Sequence, residues 1–172
     1  MNEKLAHIFS RRSIRAYEEK PVPDDLFRDL LEAAMAAPSA VCKDPWRFVL
    51  VKKREMLQRI SDGLPNGKML AFAGAGIVVC GDLRDAHDHQ LSYLLQDTSA
   101  AVQNTLLAAT ALGLGACWLG VHPREERMEH VRKLLGLPRE IVPVSVISVG
   151  WPAERKEPRT RYAESKVHHE TW

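Results

Sequence analysis

Near its beginning the chain reads Ser-Arg-Arg-Ser-Ile-Arg-Ala-Tyr at residues 10–17, followed by a Lys-Pro-Val-Pro turn signal at residues 20–23. Three arginines and two serines lie within six positions, so guanidinium groups and hydroxyls can converge on one anionic group. A bound phosphate requires donors of this kind. The stretch therefore predicts a phosphate site, although a solvated basic turn has the same composition.

The composition limits the class of protein. The chain has 172 residues, of which 45% are hydrophobic, and this suits one domain with a sizeable core. Its 24 basic and 22 acidic side chains nearly cancel, so the net charge of +2 indicates no nucleic-acid or membrane partner. Cys42, Cys80 and Cys117 are far apart, which predicts reduced thiols. Because residues 1–8 lack an apolar signal core, we expect a cytoplasmic protein.

Apolar periodicity predicts an alternation of helices and strands. Helices are expected at residues 26–35, 54–60, from about His87 or Gln90 to Leu112, and after Pro123. Strands are expected at 46–51, 77–80, 116–119 and 142–149. Asp24 or Asp25 is expected to cap the first of these helices, and Gly136 to end the last. A shorter helix is expected around Leu5, Ile8 and Phe9.

Several standard catalytic motifs are absent from the sequence. It contains no GxGxxG or P-loop motif, and no nucleophile motif surrounds Ser39 or Ser99. His87 and His89 are two positions apart, so they point in different directions, and we expect a polar turn there and no metal site. A cofactor that carries the chemistry would make such motifs unnecessary.

Three later stretches accompany residues 11–17 in a fixed order. They read Ala-Pro-Ser-Ala at 37–40 with Pro-Trp-Arg-Phe at 45–48, Gly-Leu-Gly-Ala-Cys-Trp-Leu-Gly at 113–120, and Gly-Trp-Pro-Ala at 150–153 with Pro-Arg-Thr-Arg at 158–161. Together the four stretches resemble the nitroreductase family, small enzymes that carry FMN. The resemblance implies an α+β fold in which helices flank a small mixed or antiparallel sheet. It also implies a single domain over residues 1–172 and an intertwined homodimer with FMN at its interface.

The resemblance assigns the arginine stretch to the cofactor's phosphate. Arg11 and Ser13 are implied to bind the FMN phosphate together with Arg159 and Arg161 from the C-terminal segment. Arg12 is implied to lie beside the ribityl chain and the phosphate. These assignments agree in kind with the phosphate site that the residue types predict by themselves.

A second group is assigned to the flavin ring. Arg15 is implied to lie by the N1 and C2 carbonyl edge, where a positive charge stabilises the reduced flavin. The backbone N–H groups of Leu119 and Gly120 are implied to face N5 and O4, and Asn66 to meet the N3 and O4 edge. Arg15, Leu119 and Gly120 are thus the residues expected to take part in catalysis. An ordinary surface ion pair stays open for Arg15, as does plain loop geometry for the other two.

The loop at residues 38–44 is implied to reach the flavin from the other subunit, through Pro38, Ser39, Ala40 and Cys42. Members of the family usually carry Asn and Gln where this chain has Cys42 and Asp44. A thiol is a poor hydrogen-bonding group, and an ionised aspartate only accepts hydrogen bonds. We therefore expect FMN affinity or substrate choice to differ from the family norm. Cys42 as an ordinary small hydrophobic residue stays open.

The tail at residues 153–172 has too little apolar content to form a core by itself, and the resemblance implies that it extends over the partner subunit. The implied activity is transfer of hydride from NADH or NADPH through flavin N5 to an electron-poor nitroaromatic, quinone or flavin, by a ping-pong mechanism. Two alternatives stay open: a non-catalytic flavin-storage protein, and a dimer that binds a phosphorylated metabolite. Flavin fragmentation and aromatic dehalogenation stay open within the same fold.

Overall fold

The computed structural model of the protein describes residues 2–172, and Met1 lies outside the described residues. In chain order the helices and strands are α1 (Ala6–Ser10), α2 (Asp24–Met35), β1 (Trp46–Val51), α3 (Arg54–Asp62), β2 (Ala75–Asp82), α4 (Leu91–Ala111), β3 (Gly115–Gly120), α5 (Glu125–Leu135) and β4 (Ile141–Gly150). Every helix and strand expected from the sequence is present. The predicted α+β class is confirmed.

The four strands form one sheet in the order β1-β2-β4-β3, and every pair of neighbours is antiparallel. Strands β2 and β4 are central, and all eight residues of β2 are buried. Because successive side chains of a strand point to opposite faces, burial of a whole strand requires cover on both faces of the sheet. The sheet is therefore a middle layer between two sets of helices.

Two hydrophobic clusters lie on opposite faces of this sheet. One joins α2 and α4 to the strands and includes Phe27 and Ile77, and the other joins α3 and α5 to the strands and includes Leu57 and Val78. Ile77 and Val78 are neighbours in β2 and contribute to different clusters, as the alternation of side chains requires. The fold thus has three layers, with the edge strand β3 beside β4.

Some predicted helix boundaries are wrong. The N-cap of α2 is Pro23 and not an aspartate, because Asp24 and Asp25 already lie in the first turn, where acidic groups favour the helix dipole. Helix α5 begins at Glu125 and not at Pro123. The predicted stop at Gly136 is confirmed, because this residue follows α5 with φ of 64°, a conformation that suits glycine.

After β4 the chain forms no strand in residues 151–172 apart from a single bridge between Tyr17 and Pro152. Most of this tail is exposed, and Trp172 is fully exposed apart from stacking on His168 at 4.3 Å between ring centroids. Across residues 2–172, no helix combines the length and the apolar character needed to cross a lipid bilayer. The tail therefore has no core of its own, as its composition predicts.

Candidate functional site

A cavity of about 490 Å³ opens beside the end of β3, next to the stretch at residues 10–17 and the start of α5. We call it the main cavity because it holds most of the predicted ring contacts. Four residues that the resemblance assigns to the flavin ring line it: Arg15, Asn66, Leu119 and Gly120. The other lining residues are Leu64, Gly67, Met69, Cys117, Trp118 and Arg127. Small-molecule sites typically measure about 300–1,000 Å³. The fold therefore brings all four predicted ring contacts to one cavity of suitable size.

The stretch at residues 10–17 runs along the edge strand β3. Ser13 forms a parallel bridge with Ala116, and the Ile14 N–H donates to the Ala116 carbonyl at 3.0 Å. Gly115 permits this approach, since a Cβ at that position would lie 2.6 Å from Cγ2 of Ile14. The Tyr17 hydroxyl binds the Ser148 hydroxyl at 2.7 Å. These contacts fix the backbone from which the Arg15 side chain extends.

A second attachment comes from the segment after β4. The Arg15 N–H donates to Oε1 of Glu154 at 2.5 Å, and the same oxygen accepts from Nζ of Lys156 at 2.9 Å. Lys156 also donates to the Ser13 carbonyl at 2.7 Å. The Arg15 N–H and then Lys156 lower the pKa of Glu154 below its ordinary value. Neither Glu154 nor Lys156 was predicted from the sequence, because a charged residue in a polar tail gives no local sign of its partners.

The end of β3 presents bare backbone to the cavity. Leu119 is buried and Gly120 is exposed, and a Cβ built on Gly120 would meet no atom within 4 Å. The absence of a side chain there lets another molecule approach the main chain closely. Across the cavity, Gly67 packs so closely against Leu64 that an added Cβ would lie 2.7 Å from Cβ of Leu64. Asn66 is exposed beside it.

Cys117 links the cavity to the arginine stretch. Burial raises the pKa of its thiol, and this is opposed by Arg15, by a hydrogen bond with Ser13, and by the charges of Lys156 and Arg11. Arg11 and Ser13, two of the predicted phosphate ligands, therefore lie near the cavity that holds the predicted ring contacts. Sequence analysis assigned no role to Cys117.

The structure places the other residues predicted near the phosphate, Arg12, Arg159 and Arg161, at separate positions. The Arg12 guanidinium donates to the Glu157 carbonyl and lines a separate cavity of about 410 Å³, away from Asn66 and Gly120. The Arg159 N–H donates to the Phe9 carbonyl at 3.0 Å, which returns the C-terminal segment to the arginine stretch. Arg161 is exposed. The structure thus places Arg159 beside the stretch and turns Arg12 away from the main cavity.

The loop at residues 38–44 does not line the main cavity of its own chain, so Pro38, Ser39, Ala40 and Cys42 are apart from the predicted ring contacts. The Ala40 N–H donates to Oδ1 of Asp97 in α4 at 2.9 Å. Asp97 is buried, and its Oδ2 has no hydrogen-bond partner among residues 2–172. Asp97 was not among the site residues predicted from the sequence.

Two departures from the family pattern lie in this loop. These are Cys42 and Asp44, with φ of 54° and 49°. Val41 beside them has φ of 52°, so three residues other than glycine adopt the left-handed conformation in this loop. The Asp44 carboxylate accepts a hydrogen bond from the Ser39 hydroxyl at 2.5 Å, and the Asp44 N–H donates back to that hydroxyl at 3.0 Å. The hydrogen bonds between Asp44 and Ser39 therefore stabilise the loop, a role that the sequence did not predict.

Arg127 is a lining residue that sequence analysis missed. It lies on α5, which the sequence presents as an ordinary amphipathic helix, and its position gives no local signal. Its Nη1 donates to the Gly120 carbonyl at 3.0 Å. Its Nε is buried and has no partner within the described part of the chain. A second guanidinium therefore stands in the cavity that contains Arg15.

The donors that line this cavity fit a flavin. Gly120 offers open backbone, Asn66 an amide that both donates and accepts, and Arg15 a positive charge. The cavity lining contains no aspartate or glutamate in residues 2–172, so no carboxylate there repels a reduced, negatively charged ring. Ser13 pairs with Ala116, the neighbour of the lining residue Cys117, and Arg11 lies two residues before Ser13 in the chain. FMN is thus compatible with these residues.

Comparisons with known proteins agree with this geometry. The model of the Nitroreductase family matches residues 8–68 and 62–151. An Archaeoglobus fulgidus protein named "Putative NADH dehydrogenase/NAD(P)H nitroreductase" is 45% identical over 175 residues, covering 100% of both chains. A crystal structure of a Parabacteroides distasonis protein with the same name has 41% identity and a TM-score of 0.93 over 100% of both chains. The FMN-dependent nitroreductase of Clostridium difficile has 28% identity and a TM-score of 0.90, over 98% of this chain and 99% of its own.

Proposed function

Because the chain belongs to the nitroreductase family, we propose that it is an oxidoreductase that uses FMN and NADH or NADPH. The observation that carries this proposal is the single cavity shared by Arg15, Asn66, Leu119 and Gly120. When bound, FMN supplies two-electron storage, which lets the reductant and the acceptor react in separate steps. The protein then needs no acid, base or nucleophile motif of its own.

The residues of the cavity bind and polarise the ring. Arg15 supplies a fixed positive charge that favours the more negative, reduced form of the cofactor. The N–H groups of Leu119 and Gly120 donate to the ring, and Asn66 forms hydrogen bonds with its polar edge. Arg11 and Ser13, with Arg159 and Arg161 of the C-terminal segment, hold the phosphate.

The site is completed by a second copy of the chain in a homodimer. The loop at residues 38–42 does not reach the main cavity of its own chain, which supports its role at the site of a partner. Large apolar side chains are also exposed, among them Val41 at 70% and Phe72 at 71% of their maximum area. The tail at residues 153–172, which has no core of its own, extends over the partner.

The acceptor is a small electron-poor molecule such as a nitroaromatic, a quinone or a free flavin. Reductant and acceptor use one open face in turn, so the kinetics are ping-pong. Steady-state oxidation of NADH and of NADPH by the FMN-loaded protein tests this, with the acceptor concentration varied at several fixed nucleotide concentrations. Parallel double-reciprocal lines are expected, and intersecting lines would contradict the mechanism.

An attempt to load the protein with FMN, followed by the same assay, separates the proposal from its alternatives. A protein that binds FMN but oxidises neither nucleotide with any of the three acceptor classes would be a storage protein. A protein that binds no FMN would favour the phosphorylated-metabolite alternative. Either result would overturn the proposed activity.

A further inference from the structure

Arg127 is a positive charge that the proposed function does not use. It is the third residue of α5, it lines the main cavity, and its Nη1 lies 3.0 Å from the Gly120 carbonyl. The guanidinium is therefore one hydrogen bond away from Gly120, the residue whose backbone N–H is proposed to face the flavin ring. Neither the arginine stretch nor the C-terminal segment contributes this charge.

Helix stability does not account for Arg127. A cation in the first turn of a helix opposes the helix dipole, and α5 places Glu125 and Glu126 there as the favourable charges. By contrast, Arg132 near the other end of α5 donates to the Pro138 and Ile141 carbonyls, which fastens the helix to the following loop. Arg127 makes one such bond, from Nη1 to the Gly120 carbonyl at the cavity, and its buried Nε has no hydrogen-bond partner among residues 2–172.

In the part of the chain that the structure describes, no carboxylate pairs with Arg127. Among residues 2–172 it takes part in no ion pair, and its Nε is buried without a hydrogen-bond partner. Within residues 2–172, the cavity lining therefore contains two positive charges, Arg15 and Arg127, and no negative one. If Arg15 balances the negative charge of the reduced cofactor, Arg127 is left to balance a second anion.

Building on the proposed function, we propose that Arg127 selects acceptors that carry a carboxylate on an aromatic ring. A guanidinium fork matches a carboxylate in geometry and charge, and this pairing is stronger than a neutral hydrogen bond. Trp118, which is 38% exposed, and Met69 line the same cavity and offer aromatic and apolar surface to the ring of the acceptor. Arg127 thus binds the carboxylate of the acceptor, while Trp118 and Met69 contact its aromatic ring.

The test compares 4-nitrobenzoate with 4-nitrobenzamide, which has nearly the same shape and no charge. The ratio of their kcat/KM values is measured for the FMN-loaded wild type and for Arg127→Gln, and intrinsic differences in reactivity cancel between the proteins. We expect the preference for the anion to fall about tenfold or more, because a charge-assisted hydrogen bond is lost. Arg127→Lys keeps the charge and should lose less of the preference. Arg124→Gln removes an equal charge outside the cavity and serves as the matched control.

A second readout does not depend on turnover. Benzoate and benzamide, which carry no nitro group, are titrated into the FMN-loaded wild type by calorimetry, and benzoate should bind about tenfold more tightly. Equal affinities would overturn the proposal even if Arg127→Gln failed to fold. It would also be overturned if Arg127→Gln altered both acceptors equally, or only the KM for NADPH relative to NADH. Loss of oxidation with every acceptor in the wild type would instead reject the proposed function itself.

Discussion

The Arg15 side chain is exposed at the main cavity, while its backbone is held by the Glu154 carboxylate on one side and by the neighbouring Ile14–Ala116 hydrogen bond on the other. A charged side chain on a fixed backbone binds a ligand more favourably, because less conformational entropy is lost when the ligand binds. Arg15 is therefore pre-positioned for an electrostatic role.

Replacing Arg15 by alanine removes this charge from the cavity. We expect Arg15→Ala to lower the midpoint potential of bound FMN by about 30 mV, equivalent to about 1.4 kcal/mol for a two-electron couple. Spectroelectrochemical titration of the loaded protein measures this. Arg139→Ala, which removes an exposed arginine elsewhere, is the control and should leave the potential unaltered. An unchanged potential in fully loaded Arg15→Ala would contradict the assigned role.

Substitution of Gly120 tests the position of the flavin, because it should change FMN affinity without changing the stability of the apoprotein. An added Cβ would meet no protein atom within 4 Å, and the backbone of Gly120 is not left-handed. Gly120→Ala should therefore keep the stability of the apoprotein within about 0.5 kcal/mol. Its methyl group would occupy space that the flavin needs, so we expect FMN affinity to fall about tenfold or more. Fluorescence titration of the apoprotein with FMN measures the affinity, and wild-type affinity would show that the cofactor lies elsewhere.

The sequence predicted some of these residues and missed others for an identifiable reason. Arg15, Leu119 and Gly120 belong to contiguous motifs, so the sequence itself points to them. Arg127 and Glu154 act through contacts made only after folding, with Gly120 on one strand and with the backbone of Arg15. In the sequence each resembles an ordinary solvated charge.

At the scale of elements, the segment after β4 holds the arginine stretch in place. Glu154 accepts from the Arg15 N–H and from Lys156, and these partners hold its pKa below the ordinary value of 4.5. A carboxyl whose pKa is lower in the folded state stabilises the fold above the unfolded-state pKa. The contribution disappears as the pH falls through the folded-state pKa.

Glu154→Gln should therefore destabilise the protein in a pH-dependent manner. At pH 7 we expect a loss of about 1 kcal/mol in the free energy of unfolding, since a charge-assisted hydrogen bond becomes a neutral one. The difference from wild type should shrink as the pH falls below the ordinary carboxyl pKa. Urea denaturation across pH 3 to 7 measures it, with Glu19→Gln at an exposed site as the control. A constant difference over that range would refute the pKa argument.

The helices and strands themselves were largely predictable. Strand β1 occupies residues 46–51 as expected, because a run of bulky residues between Pro45 and a charged pair defines it. Of the two starts expected for α4, Gln90 is the N-cap of the helix, whereas His87 is too early, since His87–His89 forms a separate 3-10 turn with Asp88 at φ of 49°. Local backbone conformations of this kind have no periodic signal, so the sequence fixes the middle of an element better than its ends.

In the whole molecule, the tail lacks the packing contacts within its own chain that would hold it in place. The tail at residues 153–172 has few apolar groups, and Trp172 is fully exposed. The wild type should therefore be a dimer in which each tail covers the partner.

Deleting residues 163–172 tests this arrangement. We expect the dimer to dissociate more readily and to retain less FMN, because the interface that completes the site is smaller. Sedimentation at several protein concentrations measures the assembly, and circular dichroism checks that the helices and strands remain. If the shortened protein has the same oligomeric state and FMN content as wild type, the tail has another role.

The most direct test of the proposed FMN-dependent activity is the absorption spectrum of the protein, loaded with FMN and kept free of oxygen, before and after NADH and then NADPH are added. We expect flavin absorption bands that at least one nucleotide bleaches and that a nitroaromatic acceptor restores. A protein that cannot be loaded with FMN, or whose bound flavin neither nucleotide reduces, would contradict it.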